Sequence, residues 1–101
     1  MQTLEEAVNI YFLYSNISDV YYVGHTNDVE RRLFEHNHSN HTTYTSKHRP
    51  WELVYFFSVN ENRADAQKIE KFIKKQKSKK LITKIIDNKL TINDFNHILT
   101  K

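Results

Sequence analysis

The sequence predicts a small α+β sandwich with elements in the order β-β-α-β-α-α-α. Three observations predict it. Two aromatic, β-branched runs lie on either side of a short polar turn. A third run, residues 51–59, is the most apolar stretch of the chain. Elsewhere apolar residues recur at helical spacing behind residues that cap helices.

Val8 to Tyr14 reads as the first strand, because its residues fit a pleated, half-buried surface. Ser15-Asn16-Ile17-Ser18-Asp19 is a turn, and Val20 to Gly24 returns as the second strand of a hairpin. Thr26 or Asn27 is placed to cap a helix that runs to about Asn37, with Asp28 and Glu30 in its first turn. Residues 38–50 are almost wholly polar, and a long polar loop in a compact domain is usually functional. Trp51 to Val59 is the third strand. Asn60 or Asn62 caps a long helix through about Lys77, Ser78 caps a short one from Lys79 to Ile86, and Asp87-Asn88 turns the chain into a final helix over Thr91 to Leu99.

The chain has 101 residues, so one domain is expected, 1–101, with a short helical tail from Asp87. At 39% hydrophobic it can build a core, in which thirteen aromatic rings would do much of the burying. There is no cysteine, which excludes disulfides and thiolate metal sites. No apolar run approaches the roughly 18–20 residues of a membrane span. The acidic start, Met1 to Glu6, has no signal-peptide core. A cytoplasmic protein with no membrane partner is the expected class.

Net charge is only +3, but it is unevenly spread. Residues 68–84 hold eight lysines and one acid, a local +7, whereas residues 1–67 carry −4. Such a stripe is the footprint of a polyanion binder, or simply a solvated helix face.

Four sets of residues bear on chemistry. At about 100° per residue, Val29, Arg32, Leu33 and His36 share one face of the first helix. Arg32 and His36 then lie on or beside the buried face, where an arginine is costly unless it is paired or snorkels to the rim. On the second long helix, Ala66, Ile69, Phe72 and Ile73 form the apolar stripe, and Glu70 lies at its edge, about 40° from Ala66. A carboxylate there can hold a hard cation or pair with Lys74 one turn on; the residues alone leave both open. Tyr11 and Tyr22 sit in neighbouring strands, where tyrosines usually pack with the hydroxyl at the rim. Of the six histidines, His38, His41 and His48 fall in the polar loop; no His-x-x-x-His pair shares a helix face, so no zinc site is expected.

Asn9-Ile10-Tyr11, Tyr22-Val23-Gly24, Arg32, His36 and Glu70 occur in the order and spacing of the GIY-YIG nuclease family. The phrases Tyr21 to Asp28, Arg31 to Asn37 and Lys47 to Tyr55 also resemble the small stand-alone branch of that family, similar to the N-terminal nuclease domain of the excision-repair excinucleases. The likeness covers about residues 8–84. Each tripeptide is weak alone; the ordered set is specific. The resemblance implies a three-stranded antiparallel sheet flanked by helices and an endonuclease hydrolysing DNA phosphodiesters, near repair or the processing of branched structures. It also implies one divalent metal, Mg²⁺ before Mn²⁺. By the same resemblance Glu70 binds the metal, Arg32 neutralises charge on the phosphate oxygens, Tyr11 is the general base on water, His36 accepts its proton, and Tyr22 positions water or phosphate, with the two tyrosine roles exchangeable. Lys47, His48 and Arg49 of the loop and Lys68, Lys71, Lys74, Lys75 and Lys77 of the helix would hold the phosphate backbone. DNA is the expected partner, with RNA as the other nucleic acid; a protein partner or a homodimer would be needed for double-strand cuts.

Two departures qualify this. Asn9 stands where the family usually has glycine, and no appended DNA-binding domain is visible, so weak sequence preference is expected. The rival readings are a non-catalytic nucleic-acid-binding module of the same fold and a basic interaction protein whose tyrosines and arginine merely pack.

Overall fold

A computed structural model describes residues 7–40, 44–59 and 63–99. Strands β1 (Asn9–Ser15), β2 (Val20–Thr26) and β3 (Trp51–Ser58) form one sheet in the order β2-β1-β3, antiparallel throughout. Helix α1 (Val29–His38) covers one face. Helices α2 (Arg63–Gln76), α3 (Lys79–Asp87) and α4 (Asn96–Leu99) cover the other.

β1 is the central strand, and its run of apolar residues is buried on both sides. Ile10 and Phe12 face the larger core, with Val23, Phe57, Ile69, Ile73, Ile85 and Phe95. Tyr11 and Leu13 face a smaller core under α1, with Trp51, Tyr22, Val29 and Leu33. β3 serves both cores by means of an irregularity: Leu13 pairs with Leu53 but Phe12 pairs with Tyr55, so one extra residue, Val54, sits in β3. The inserted residue reverses the alternation. Trp51 and Leu53 therefore go to the α1 side, and Tyr55 and Phe57 to the other.

The hairpin turn closes with Asp19 in the left-handed region (φ 55°), which aspartate tolerates better than most residues. Its carboxylate is held by the Tyr14 hydroxyl at 2.7 Å and Lys79 Nζ at 2.8 Å, tying the turn to α3.

Several boundaries differ from expectation. Asp28, not Thr26 or Asn27, caps α1, its Oδ1 accepting from Arg31 N at 3.0 Å. Thr26 still belongs to β2, paired with Asn9, and its hydroxyl accepts from Asp28 N, one step too early to cap the helix. The caps expected at Asn60 or Asn62 lie outside the described residues. Ser78 caps α3 as expected, accepting from Leu81 N. The final segment is split. A 3-10 turn, Ile92–Phe95, closes behind a reciprocal Thr91–Asp94 cap before α4 begins. The polar loop contains another 3-10 turn, Thr45–His48. Among the described residues, no helix is long and apolar enough to cross a membrane.

Asn9 is an ordinary strand residue. It pairs with Thr26 and Ser58 and is not among the residues with positive φ, so its position does not require glycine.

Candidate active site

The site begins with strand register. Tyr11 pairs with Gly24, and Tyr22 pairs with Leu13, so Tyr11, Tyr22 and Gly24 share the α1 face. The Tyr11 ring lies over Gly24: a Cβ there would come within 2.6 Å of the tyrosine hydroxyl oxygen. The glycine is needed for that close approach, not for a turn.

Val29 and Leu33 anchor α1 to the sheet, and the same helical face brings down Arg32 and His36. His36 is 5% exposed and Tyr11 1%. The Tyr11 hydroxyl lies 2.8 Å from His36 Nε2, and Arg32 Nη2 lies 3.4 Å from the same nitrogen. The Tyr22 ring packs 4.8 Å from the His36 ring, centre to centre. Burial, followed by the positive charge of Arg32, lowers the His36 pKa to about 4. The imidazole is therefore neutral at neutral pH. Arg32 Nη2, which can only donate, faces the same nitrogen, so Nε2 is the acceptor and Tyr11 donates to it. Burial, reinforced by Tyr22, raises the Tyr11 pKa above its ordinary 10; Arg32 opposes the rise. Arg32 loses some hydration by burial, but Glu35 at 2.7 Å and Tyr11 outweigh that loss and raise its pKa. The arginine stays charged at the mouth of an open cleft of about 620 Å³, lined by Tyr22, Arg32, Glu35, His36, Ser39, Tyr44 and Thr45.

The C-terminal end of α1 is fastened to β3. Arg49 donates to the carbonyls of His36 (2.6 Å) and Ser39 (2.8 Å) at the C-terminal end of the helix. Asn37 and Trp51 exchange two hydrogen bonds, side-chain amide to backbone, at 2.7 and 3.0 Å. The guanidinium of Arg49 thus fixes the backbone that carries His36. His48, bonded to Ser18 Oγ at 2.7 Å, sits between the rings of Tyr44 and Trp51. Lys47 is exposed.

Glu70 comes from α2, on the far side of the sheet, beside edge strand β2. His25 of β2 is 2.5 Å from Glu70 Oε1, and Lys74 Nζ is 2.7 Å from Oε2. Lys74 also lies over the Tyr22 ring, 5.1 Å from its centre. One lysine therefore links the carboxylate to the tyrosine cleft. Glu70 is felt at Tyr11, where its charge adds to the upward shift. Beside Glu70 is a shallow depression walled by His25, Gln67, Lys71, Lys74 and Lys75. Lys68, Lys71, Lys75 and Lys77 are exposed along α2 and just past its end.

Among the described residues, no group of three or more His, Asp or Glu side chains gathers to hold a cation. Glu70 is a partly exposed carboxylate, and a hard cation held by it would take its remaining ligands from water and phosphate.

The roles that His25, Asn37 and Arg49 take in the structure are not legible in the sequence. His25 precedes Glu70 by 45 residues, and only the register of β2 against α2 joins them. Arg49 and Asn37 look like loop polar residues until the end of α1 is placed. Gly24 is legible as a motif letter but not as clearance for a ring.

The sequence profile of the GIY-YIG catalytic domain matches residues 7–84. The chain belongs to the GIY-YIG family. Among curated proteins it is similar to the UPF0213 protein CPE1444 of Clostridium perfringens, 43% identical over 54 residues, which are 54% of this chain and 57% of that protein. It is also similar to the UPF0213 protein YazA of Bacillus subtilis, 37% identical over 60 residues, or 59% of this chain and 60% of that protein. The UPF0213 protein SSP2268 of Staphylococcus saprophyticus is 37% identical over 65 residues, covering 61% of this chain and 78% of that protein. The chain spans less than two thirds of the length of the first two. No solved structure matches it. The GIY-YIG domain is a nuclease domain, generally dependent on a divalent metal; Tyr11, Tyr22, Arg32 and His36 stand together on one of its faces here, with Glu70 linked through Lys74.

Proposed function

We propose that this chain is a metal-dependent endonuclease that hydrolyses DNA phosphodiester bonds, with a role near repair or the processing of branched structures. The observation that carries the proposal is the 2.8 Å Tyr11–His36 contact, with Arg32 at its side and a neutral imidazole as acceptor.

Tyr11 acts as the general base on water. Its own proton passes to His36 Nε2, which is positioned to take it. In the resting site that transfer is uphill: burial raises the phenol and lowers the imidazolium, and each pK unit of mismatch costs about 1.4 kcal/mol. Arg32 opposes protonation of His36, but it stabilises a phenolate at Tyr11 and then neutralises charge on the phosphate. A divalent cation on Glu70, Mg²⁺ or Mn²⁺, would polarise a phosphate oxygen, steady the leaving group and add positive charge that favours the phenolate. Tyr22, against His36 and under Lys74, positions water or phosphate. Lys68, Lys71, Lys75, Lys77 and Lys47, all exposed, supply sequence-independent phosphate contacts. His48 and Arg49 can join them only by giving up the internal bonds they make.

A second reading, a nucleic-acid-binding module that does not cut, is favoured by one observation: both oxygens of Glu70 already have partners. Cleavage of labelled duplex, flap and branched DNAs with Mg²⁺ or Mn²⁺ separates the two. The nuclease reading expects cutting by the wild type, loss in Glu70→Ala, and a fall of roughly 100-fold or more in Tyr11→Phe. Salt-sensitive binding without cutting by any of the three would support the second.

A further inference from the structure

The two oxygens of Glu70 are held by different kinds of partner. Oε1 meets an imidazole nitrogen from the sheet, His25 Nδ1, at 2.5 Å. Oε2 meets a flexible ammonium from one turn further along α2, Lys74 Nζ, at 2.7 Å. A carboxylate only accepts, so the His25 ring must carry a proton on Nδ1. His25 is on a paired strand and its side chain is 19% exposed, so its hold is rigid. Lys74 is 46% exposed and its chain is long, so its hold is easily exchanged.

We infer that Glu70 is a divided carboxylate, with Oε1 fixed by His25 and Oε2 exchanging its lysine for a divalent cation. The inference rests on Glu70 being the metal ligand. His25 is then a positioning residue: it orients the carboxylate as an outer partner orients a ligand. Lys74 is the cation that the metal replaces, because an ammonium and a divalent ion cannot occupy one oxygen at contact distance without strong repulsion. The displaced Lys74 has a short way to go. It already lies over the ring of Tyr22, which itself lines the tyrosine cleft. Metal entry thus frees a phosphate-binding cation, and phosphate that draws Lys74 away frees the metal position. By linkage each ligand tightens the other.

The test is uptake of Mn²⁺ alone by the whole chain, followed by loss of the free-ion EPR signal, in wild type, Lys74→Met, His25→Ala, His25→Asn and Glu70→Gln. Lys74→Met is expected to bind Mn²⁺ roughly two- to five-fold more tightly, the factor set by losing a partly exposed ion pair. His25→Ala is expected to bind more weakly, and His25→Asn, which retains a donor near Nδ1, to recover most of the loss. Unchanged or weaker binding in Lys74→Met, while Glu70→Gln abolishes binding, overturns the exchange and leaves Glu70 as a ligand. Equal losses in His25→Asn and His25→Ala, with both folded by circular dichroism, overturn the positioning role. No Mn²⁺ uptake by the wild type, or unchanged uptake in Glu70→Gln, sinks the metal-ligand reading itself.

Discussion

The hydroxyl of Tyr11 occupies the space where a side chain at residue 24 would begin: a Cβ on Gly24 would lie 2.6 Å from that oxygen and 2.7 Å from the carbon that bears it. The two residues are directly paired across β1 and β2, so neither can shift without disturbing the ladder. Gly24→Ala must therefore push the Tyr11 ring, and the tyrosine is buried, with His36 on its hydroxyl. We expect a stability loss of about 1–3 kcal/mol, as for other overpacked sites, in urea unfolding. We expect a larger proportional fall in cleavage, because the displaced hydroxyl loses its acceptor. A stable Gly24→Ala protein that cuts like the wild type would show that Tyr11 need not sit where it does.

The low pKa of His36 makes stability depend on pH. The ring titrates near 6.5 when unfolded and near 4 in the folded protein. Between those values the unfolded chain binds the extra proton, so protonation favours unfolding. The contribution is fully present above about pH 6.5 and is lost as pH falls towards 4, on the order of 3 kcal/mol at most. Urea unfolding from pH 7 to 4 should show the slope in the wild type. In His36→Gln, which keeps a polar group without titrating, the slope over this window should be much shallower. Matching slopes would assign the effect to other groups.

Much of this architecture is readable from the chain, and the places where it is not have local causes. Three strands and the two long helices follow from periodicity and capping residues. The cap of α1 is ambiguous in the sequence because Thr26, Asn27 and Asp28 are all good caps, and only the length of β2 decides among them. The last helix looks continuous in the sequence because a 3-10 turn shares its apolar spacing. At the site, helix geometry places Arg32 and His36, and the hairpin places Tyr11 and Tyr22. The partners of Glu70 are half legible: Lys74 is one turn away, but His25 is joined to it only by tertiary packing. Arg49 looks like a phosphate contact because a loop arginine beside a histidine and a lysine usually is one; nothing near it in sequence reveals the helix end it closes.

That placement separates Arg49 from the exposed lysines. Arg49→Ala removes two charge-assisted bonds to the end of α1 and should cost about 1.5–3 kcal/mol. It should also lower cleavage, because the backbone of His36 loosens. The dependence of DNA binding on salt should change little. Lys71→Ala and Lys75→Ala should do the reverse, leaving stability nearly unchanged and reducing the slope of log K against log salt by about 1 each. A fluorescence-anisotropy salt titration of each variant, beside its urea curve, checks both halves. A reduced slope for Arg49→Ala with no loss of stability would place its guanidinium on phosphate instead.

The match to the GIY-YIG domain ends at residue 84, but the packing continues past it. Phe95 is 3% exposed and stacks on Phe57, with ring centres 5.6 Å apart and planes within 6° of parallel. The Tyr55 hydroxyl donates to Leu90 O at 2.7 Å, closing the chain over β3. Phe57 pairs with Ile10, and Ile10 neighbours Tyr11, so the segment after α3 supports the back of the strand that carries the candidate base. Phe95→Ala should destabilise the protein by about 3–5 kcal/mol, the usual result of emptying a buried aromatic site. Where the variant remains folded, the Tyr11–His36 contact lies on the opposite face and should persist, so cleavage per folded molecule should stay near the wild-type rate. Thermal melting gives the first quantity, and cleavage well below the melting point gives the second. A stability change under about 1 kcal/mol would mean that residues 91–99 are an appendage and not part of the core.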